Sequence, residues 1–225
     1  MNSKRTISVE AEPYVYEFEP ARCALVIIDM QRDFLEPGGF GEMLGNDVSQ
    51  LRRTIEPNRQ LLAAWRAEGF KVIHTREGHR SDMTDLPPAK KVRGNSKTSI
   101  GDPGPMGRIL IRGEAGHDII PELYPLSSEP VIDKPGKGAF FATDLELLLR
   151  QRGIANLILT GITTDVCVHT TMREANDRGY ECLLLTDCCG ATDRGNHEAA
   201  LKMITMQGGV FGAVALSAAL LMGLV

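Results

Sequence analysis

The sequence carries no surplus of positive charge: Lys+Arg total 25 against 29 Asp+Glu, a net charge of −4. That leaves no basic footprint, so neither nucleic acid nor an anionic membrane is expected as a partner. Cysteine is too sparse and too irregular for a disulfide framework. Cys23, Cys167, Cys182, Cys188 and Cys189 make an odd count with one adjacent pair. Free thiols of this kind point to a reducing cytoplasm. No apolar run is long enough to span a membrane; the apolar stretch Ala213–Val225 is too short and reads as a docked terminal helix. No charged segment followed by an apolar one opens the chain, so no signal peptide is expected. Repeats and low-complexity tracts are also missing.

What is present fits one domain of 225 residues, large enough to bury a full core. Short apolar runs recur at Ala24–Ile28, Lys71–Thr75, Val131–Asp133, Leu157–Thr160, Cys182–Leu185 and Val210–Val214. They do not alternate with polar residues, which is how strands buried on both faces read. Helical patterns lie between them: Val48–Glu68, Thr143–Arg152, Asp165–Arg178 and Gly195–Met206, each with a glycine at or near its end. Strand and helix alternate, so the fold expected is α/β: a three-layer αβα sandwich around a mostly parallel sheet of about six strands. Two segments fall outside this pattern. Residues 1–20 read as an extended arm for subunit contacts. Residues 78–116 carry Pro87, Pro88, Pro103 and Pro105 without a period, and read as a lid or a subunit contact.

Ligands of open α/β sheets bind beyond the carboxyl ends of the strands. Asp29, Lys134 and Cys167 fall there, each after a different strand. Each also has an ordinary reading: a cap for Asp29, a solvated loop residue for Lys134, inert packing for Cys167. Cys182 is a packing cysteine inside a strand, and position alone leaves Cys188 and Cys189 open. Cys167 is favoured because Gly161-Ile162-Thr163-Thr164-Asp165-Val166-Cys167 sets it in the first turn of a helix. The helix dipole and a nearby lysine lower a thiol pKa there, and terminal N–H groups can hold an oxyanion. His74, His79, His117, His169 and His197 lack the context of a Cys–His pair, so a carboxylate has to serve as base.

Three stretches together resemble the isochorismatase-like cysteine hydrolases over nearly the whole chain. They are Ala24-Leu25-Val26-Ile27-Ile28-Asp29-Met30-Gln31-Arg32-Asp33-Phe34, Asp133-Lys134-Pro135, and Leu159-Thr160-Gly161-Ile162-Thr163-Thr164-Asp165-Val166-Cys167-Val168. The resemblance implies a catalytic triad of Asp29, Lys134 and Cys167. It implies a thioester intermediate, a cis peptide at Ile162–Thr163, and an oxyanion hole from the backbone N–H groups of Thr163 and Cys167. Within the family the chain is most similar to biuret and triuret hydrolases, through His74–Arg80, Gly101–Pro105, Asp133–Gly138, Thr171–Tyr180 and Met206–Phe211. That likeness assigns Gln207 to recognition of a ureide, whose carbonyls and N–H groups a carboxamide matches. Phe34, Phe40 and Phe140 are assigned to the same pocket. Without the resemblance, Gln207 reads as a surface residue at a helix end.

The activity implied is cleavage of a terminal amide of a linear ureide with release of ammonia, triuret to carboxybiuret or biuret to allophanate. Lys90–Ser99, Arg32, Leu35 and Phe40 depart from the biuret-hydrolase pattern, which leaves the substrate's length open. The alternative is an amidohydrolase of an N-carbamoyl compound, such as N-carbamoylsarcosine, or of the ureidoacrylate type. Arg76 or Arg32 is the candidate partner for a substrate carboxylate in that case. A non-catalytic scaffold has no need of the complete Asp29–Lys134–Cys167 set. Related nicotinamidases hold a metal through an Asp and two His; His79 alone stands in the equivalent stretch here, so no metal and no cofactor are expected. Isochorismatases that cleave vinyl ethers lack the nucleophilic cysteine. The resemblance further implies a homo-oligomer, a dimer or a tetramer.

Overall fold

The computed structural model describes residues 5–92 and 98–224. Residues 1–4 of the expected arm, residues 93–97 of the irregular segment, and Val225 lie outside the described residues. The central sheet has six strands: β1 (Cys23–Ile28), β2 (Lys71–Glu77), β3 (Val131–Lys134), β4 (Asn156–Ile162), β5 (Glu181–Gly190) and β6 (Ala213–Ala215). All neighbouring pairs are parallel, in the order β6-β5-β4-β1-β2-β3. The chain thus builds outward from β1 through β2 to β3, crosses back, and continues from β4 on the other side of β1. The boundary between β1 and β4 is the topological switch point, where ligands of such sheets sit.

Every residue of β1 is buried, and its side chains alternate between two separate cores. Leu25 and Ile27 pack with Leu61, Leu62 and Trp65 of α1 (Ile55–Ala67). Ala24, Val26 and Ile28 pack with Leu145 and Leu149 of α2 (Leu145–Gln151), and with Met172 and Ala175 of α3 (His169–Asp177). Two further helices complete the layers, α4 (Arg194–Gly209) and α5 (Ser217–Leu224). Each fully buried aliphatic side chain is worth about 1.5–3 kcal/mol, so the centre of the sheet is a rigid base for its loops.

Several boundaries differ from the sequence expectations. Val48–Glu68 is two helices, Val48–Arg52 and α1. Pro57 has no N–H to donate to the carbonyl of Arg53, so a continuous helix cannot run through 53–57. The Thr54 hydroxyl takes up the slack by donating to Leu51 O at 2.7 Å. The apolar C-terminus supplies both β6 and α5 rather than a helix alone.

The N-terminal segment is not an extended arm. Ile7–Val9 and Tyr16–Phe18 pair antiparallel, and Ile7, Val9, Tyr16 and Phe18 are buried in the chain's own core. Phe18 stacks on Trp65 with ring centroids 6.0 Å apart. Alternating burial in both strands gives this hairpin an inner face that needs covering, and α5 together with α1 covers it.

The described part of residues 78–116 has little regular structure but a small core of its own: Leu86, Ile100, Ile109 and Leu110, with Phe34, Phe40, Met43 and Met83 against it. A short helix, Pro88–Val92, lies within it.

Candidate active site

Asp29 follows β1 at the switch point with a left-handed backbone, φ 51°. Its carboxylate is fully buried. Oδ1 accepts from the Thr75 hydroxyl at 2.7 Å, and Oδ2 faces the Lys134 ammonium at 2.7 Å. Among the described residues no donor other than that ammonium reaches Oδ2. Lys134 ends β3 and is also fully buried. Its ammonium donates to Gly136 O at 3.0 Å and Lys137 O at 2.9 Å, so all three of its donors are engaged. Burial works against its charge; Asp29, then Cys167 and Glu77, outweigh that and raise its pKa. It is a permanent cation.

Cys167 follows β4. The peptide Ile162–Thr163 is cis, and residues Thr164–Val168 form a π-helical turn ahead of α3, a local widening that recurs at functional sites. The Thr163 carbonyl accepts from the N–H groups of Val166 at 3.2 Å and Val168 at 3.1 Å, which anchors the turn around Cys167. The thiol is 5% exposed. It is directed at Glu77 rather than Asp29, with Oε2 of Glu77 3.4 Å from Sγ. Donor atoms of Asp29, Glu77 and Cys167 lie within 4.8 Å of one another. The structure therefore brings the Asp–Lys–Cys set together and adds a second carboxylate.

The sequence does not single out Glu77 because the apolar run of β2 stops at Thr75, two residues before the strand does. Glu77 in fact ends β2 as Lys134 ends β3, so the same edge rule finds it once the strand end is right. Three ammonium groups surround it. Lys137 Nζ is 2.8 and 3.1 Å from its two oxygens, Lys90 Nζ is 3.1 Å from Oε1, and Lys134 Nζ is 3.9 Å from Oε2. Burial pushes the Glu77 pKa up, but Lys134, Lys137 and Lys90 together bring it down to about 2. Lys90 comes from the Pro88–Val92 helix, and also donates to Pro135 O at 2.6 Å and to His79 Nε2 at 3.0 Å. An ammonium has only donors, so His79 Nε2 accepts and its Nδ1–H faces Asp85 at 3.2 Å. The irregular segment thus delivers a cation to the site.

The thiol itself is not the low-pKa thiol expected from a helix N-terminus. Burial pushes it well above the ordinary range; Lys134 pulls it down, and Asp29 and Glu77 push it up again. Its S–H is directed at Glu77, and that proton has to leave as the sulfur attacks. Two carboxylates are in place to receive it.

The remaining assigned residues lie elsewhere. Gln207 is exposed at the kinked end of α4, with φ 56°. Because β5 and β6 are parallel, α4 runs from the carboxyl edge back to the amino edge, where Ala213 pairs with Leu183. Cys167 sits at the carboxyl edge, so one chain does not bring Gln207 to its own thiol. Phe140 is buried, stacked on Tyr180 at 5.8 Å and under Arg178 at 4.8 Å, a packing role. Phe34 and Phe40 tie the 78–116 segment to the β1 edge. Arg76 is held by Asp133 at 2.8 Å and Asp118 at 3.0 Å, and Arg32 by Glu36 at 2.8 Å. Arg76 is thus engaged through all three of its nitrogens, whereas the pairing of Arg32 uses its Nε.

The Asp29, Glu77 and Cys167 donors also suit a metal poorly. Lys134, Lys137 and Lys90 already meet the two carboxylates, and a divalent ion there would face three ammonium groups.

A parallel α/β sheet with a thiol, carboxylates and lysines gathered at its switch point defines a class of hydrolase. Residues 23–217 match the isochorismatase domain. The chain is 33% identical over 186 residues to ureidoacrylate amidohydrolase RutB of Serratia proteamaculans, covering 81% of this chain and 75% of that one. It is 34% identical over 185 residues to the RutB of Acinetobacter baylyi, covering 80% and 76%. A cysteine hydrolase structure from Pseudomonas syringae pv. phaseolicola superposes with a TM-score of 0.79 at 26% identity, covering 100% of this chain and 98% of that one. The chain belongs to the isochorismatase family, and within it is a hydrolase acting on amides.

Proposed function

We propose that this protein hydrolyses the terminal amide of an N-carbamoyl compound, of the kind ureidoacrylate represents, and releases ammonia. One observation carries the reading: the Cys167 thiol is buried against Glu77, beside Asp29 and Lys134. The similarity to two ureidoacrylate amidohydrolases supports the carbamoyl group over biuret or triuret. Gln207, exposed at the kinked end of α4 just ahead of β6, lends those ureides less support.

In this mechanism the sulfur attacks the carbonyl carbon of R–NH–CO–NH2 while its proton passes to Asp29, whose Oδ2 faces no donor other than Lys134 among the described residues. Lys134 steadies the charge on Asp29 and on the incoming thiolate. Backbone N–H groups of the Thr163–Cys167 turn receive the developing oxyanion. Asp29 returns the proton to the departing nitrogen, the C–N bond breaks, and ammonia leaves. Water then cleaves the thioester, with Asp29 as base, giving the carbamate R–NH–COO− and free thiol. Ammonia release from ureidoacrylate, 3-ureidopropionate, N-carbamoylsarcosine, biuret and triuret, assayed side by side, tests the reading. Turnover of the carbamoyl acids above the ureides is expected; preference for biuret or triuret refutes it.

A further inference from the structure

Among the described residues, three lysines meet Glu77, and their hydrogen-bonding capacity differs. Lys134 spends its three donors on Asp29, Gly136 O and Lys137 O. Lys90 spends its three on Glu77, His79 and Pro135 O. Among the described residues Lys137 donates to the two oxygens of Glu77 and to no other group, which leaves a donor over. It is also the exposed one: its side chain is 46% accessible, against 21% for Lys90 and none for Lys134. Glu77 Oε2 lies 3.4 Å from the Cys167 sulfur and 3.1 Å from Lys137 Nζ. Lys137 therefore stands one carboxylate oxygen from the nucleophile, on the side open to solvent.

The charges of this cluster do not cancel. Asp29 and Glu77 supply two negative charges and Lys90, Lys134 and Lys137 three positive ones. With the Cys167 S–H directed at Glu77 Oε2 at 3.4 Å, the lysines of the cluster outnumber its carboxylates by one among the described residues, and the remaining donor of Lys137 is where an anion can be met. A neutral ureide does not fill that deficit. A ureido acid does, with its carbamoyl carbon at Cys167 and its carboxylate at the mouth.

We propose that Lys137 is a specificity residue, and that the substrate is an anionic ureido acid whose carboxylate it binds. The inference rests on the amidohydrolase reading and deepens it.

The test compares 3-ureidopropionate with its neutral analogue n-propylurea, in the wild type, Lys137→Met and Lys137→Arg. Thermal melting first establishes that the variants fold. The wild type is expected to prefer the acid, and Lys137→Met to raise KM for the acid by about tenfold or more, collapsing that preference. Lys137→Arg is expected to restore much of it. If Lys137→Met lowers kcat on both compounds and leaves their ratio unchanged, Lys137 serves only to hold Glu77 and the inference fails. Calorimetric binding of 3-ureidopropionate to Cys167→Ala, with and without Lys137→Met, separates the two readings. If the wild type turns over neither compound but the acid still binds through Lys137, the amidohydrolase reading falls and the anion site stands. If the acid binds equally with and without Lys137, the anion site falls whatever the turnover.

Discussion

At the scale of single residues the site is a balance of burial against charge. Burial outweighs Lys134 and pushes the Cys167 thiol up, so a base assists its attack, and a hydroxyl in its place is a far poorer nucleophile. Cys167→Ser is expected to cost three orders of magnitude or more in ammonia release, roughly what loss of a nucleophile costs elsewhere, with an unchanged melting temperature. Glu77 shows the opposite balance: its carboxylate stays ionised in a buried position because lysines surround it, with a pKa near 2. Its folded value lies below the ordinary value of 4.5, so the stability it contributes is complete above pH 4.5 and is lost as pH falls toward 2. Urea denaturation at successive pH values is expected to show that acid-side loss, and Glu77→Gln to flatten it. At neutral pH the same variant leaves lysines without their counterion, and is expected to lose about 3–5 kcal/mol of stability.

At the scale of elements, the active centre depends on how closely β1 and β4 approach. Gly161 has φ 106°, and a Cβ there runs into the carbonyl oxygen of Ile28, the residue before Asp29. Gly161→Ala has no easy relief, since the obstacle is backbone on a buried neighbouring strand. An expected loss of roughly 2–4 kcal/mol follows from strain and overpacking. Activity is expected to drop further than stability, because the shift separates Asp29 from Cys167. Urea titration and ammonia release on one preparation compare the two losses.

For the whole molecule, the placement of charge decides which chemistry is available. The chain is acidic overall, at −4, yet the carboxyl edge of the sheet concentrates Lys90, Lys134 and Lys137 around two buried carboxylates. Ammonium groups do there what a divalent ion does in a metal-dependent hydrolase, so dialysis against a chelator is expected to leave ammonia release unchanged. A loss restored by zinc contradicts that assignment of charge.

Much of this was legible beforehand. Runs such as Ala24–Ile28 and Leu157–Thr160 announce strands because burial on both faces demands uninterrupted apolar residues. Their order and glycine stops imply a parallel sheet, and strand ends locate Asp29, Lys134 and Cys167. Strand ends are also the least sharply written feature of a sequence. Thr75-Arg76-Glu77 turns polar while still pairing with Ile132–Lys134, and that hid Glu77. The crossover from β5 to β6 already requires the end of α4, and Gln207 with it, to return to the amino edge. Lys90 had no signal at all, because its segment has no period and is placed by a few scattered apolar contacts.

The sequence by itself determined the architecture, which follows from local patterns of burial and turn chemistry, and it pointed to Cys167 through the place of that residue after a strand and the family resemblance of its motif. Only the tertiary structure decided which charges meet. Glu77 held among lysines, the thiol directed at Glu77, and Lys137 meeting only Glu77 among the described residues all depend on distances between segments far apart in the chain. In a low-dielectric site a shift of a few ångströms changes such interactions by more than any local propensity.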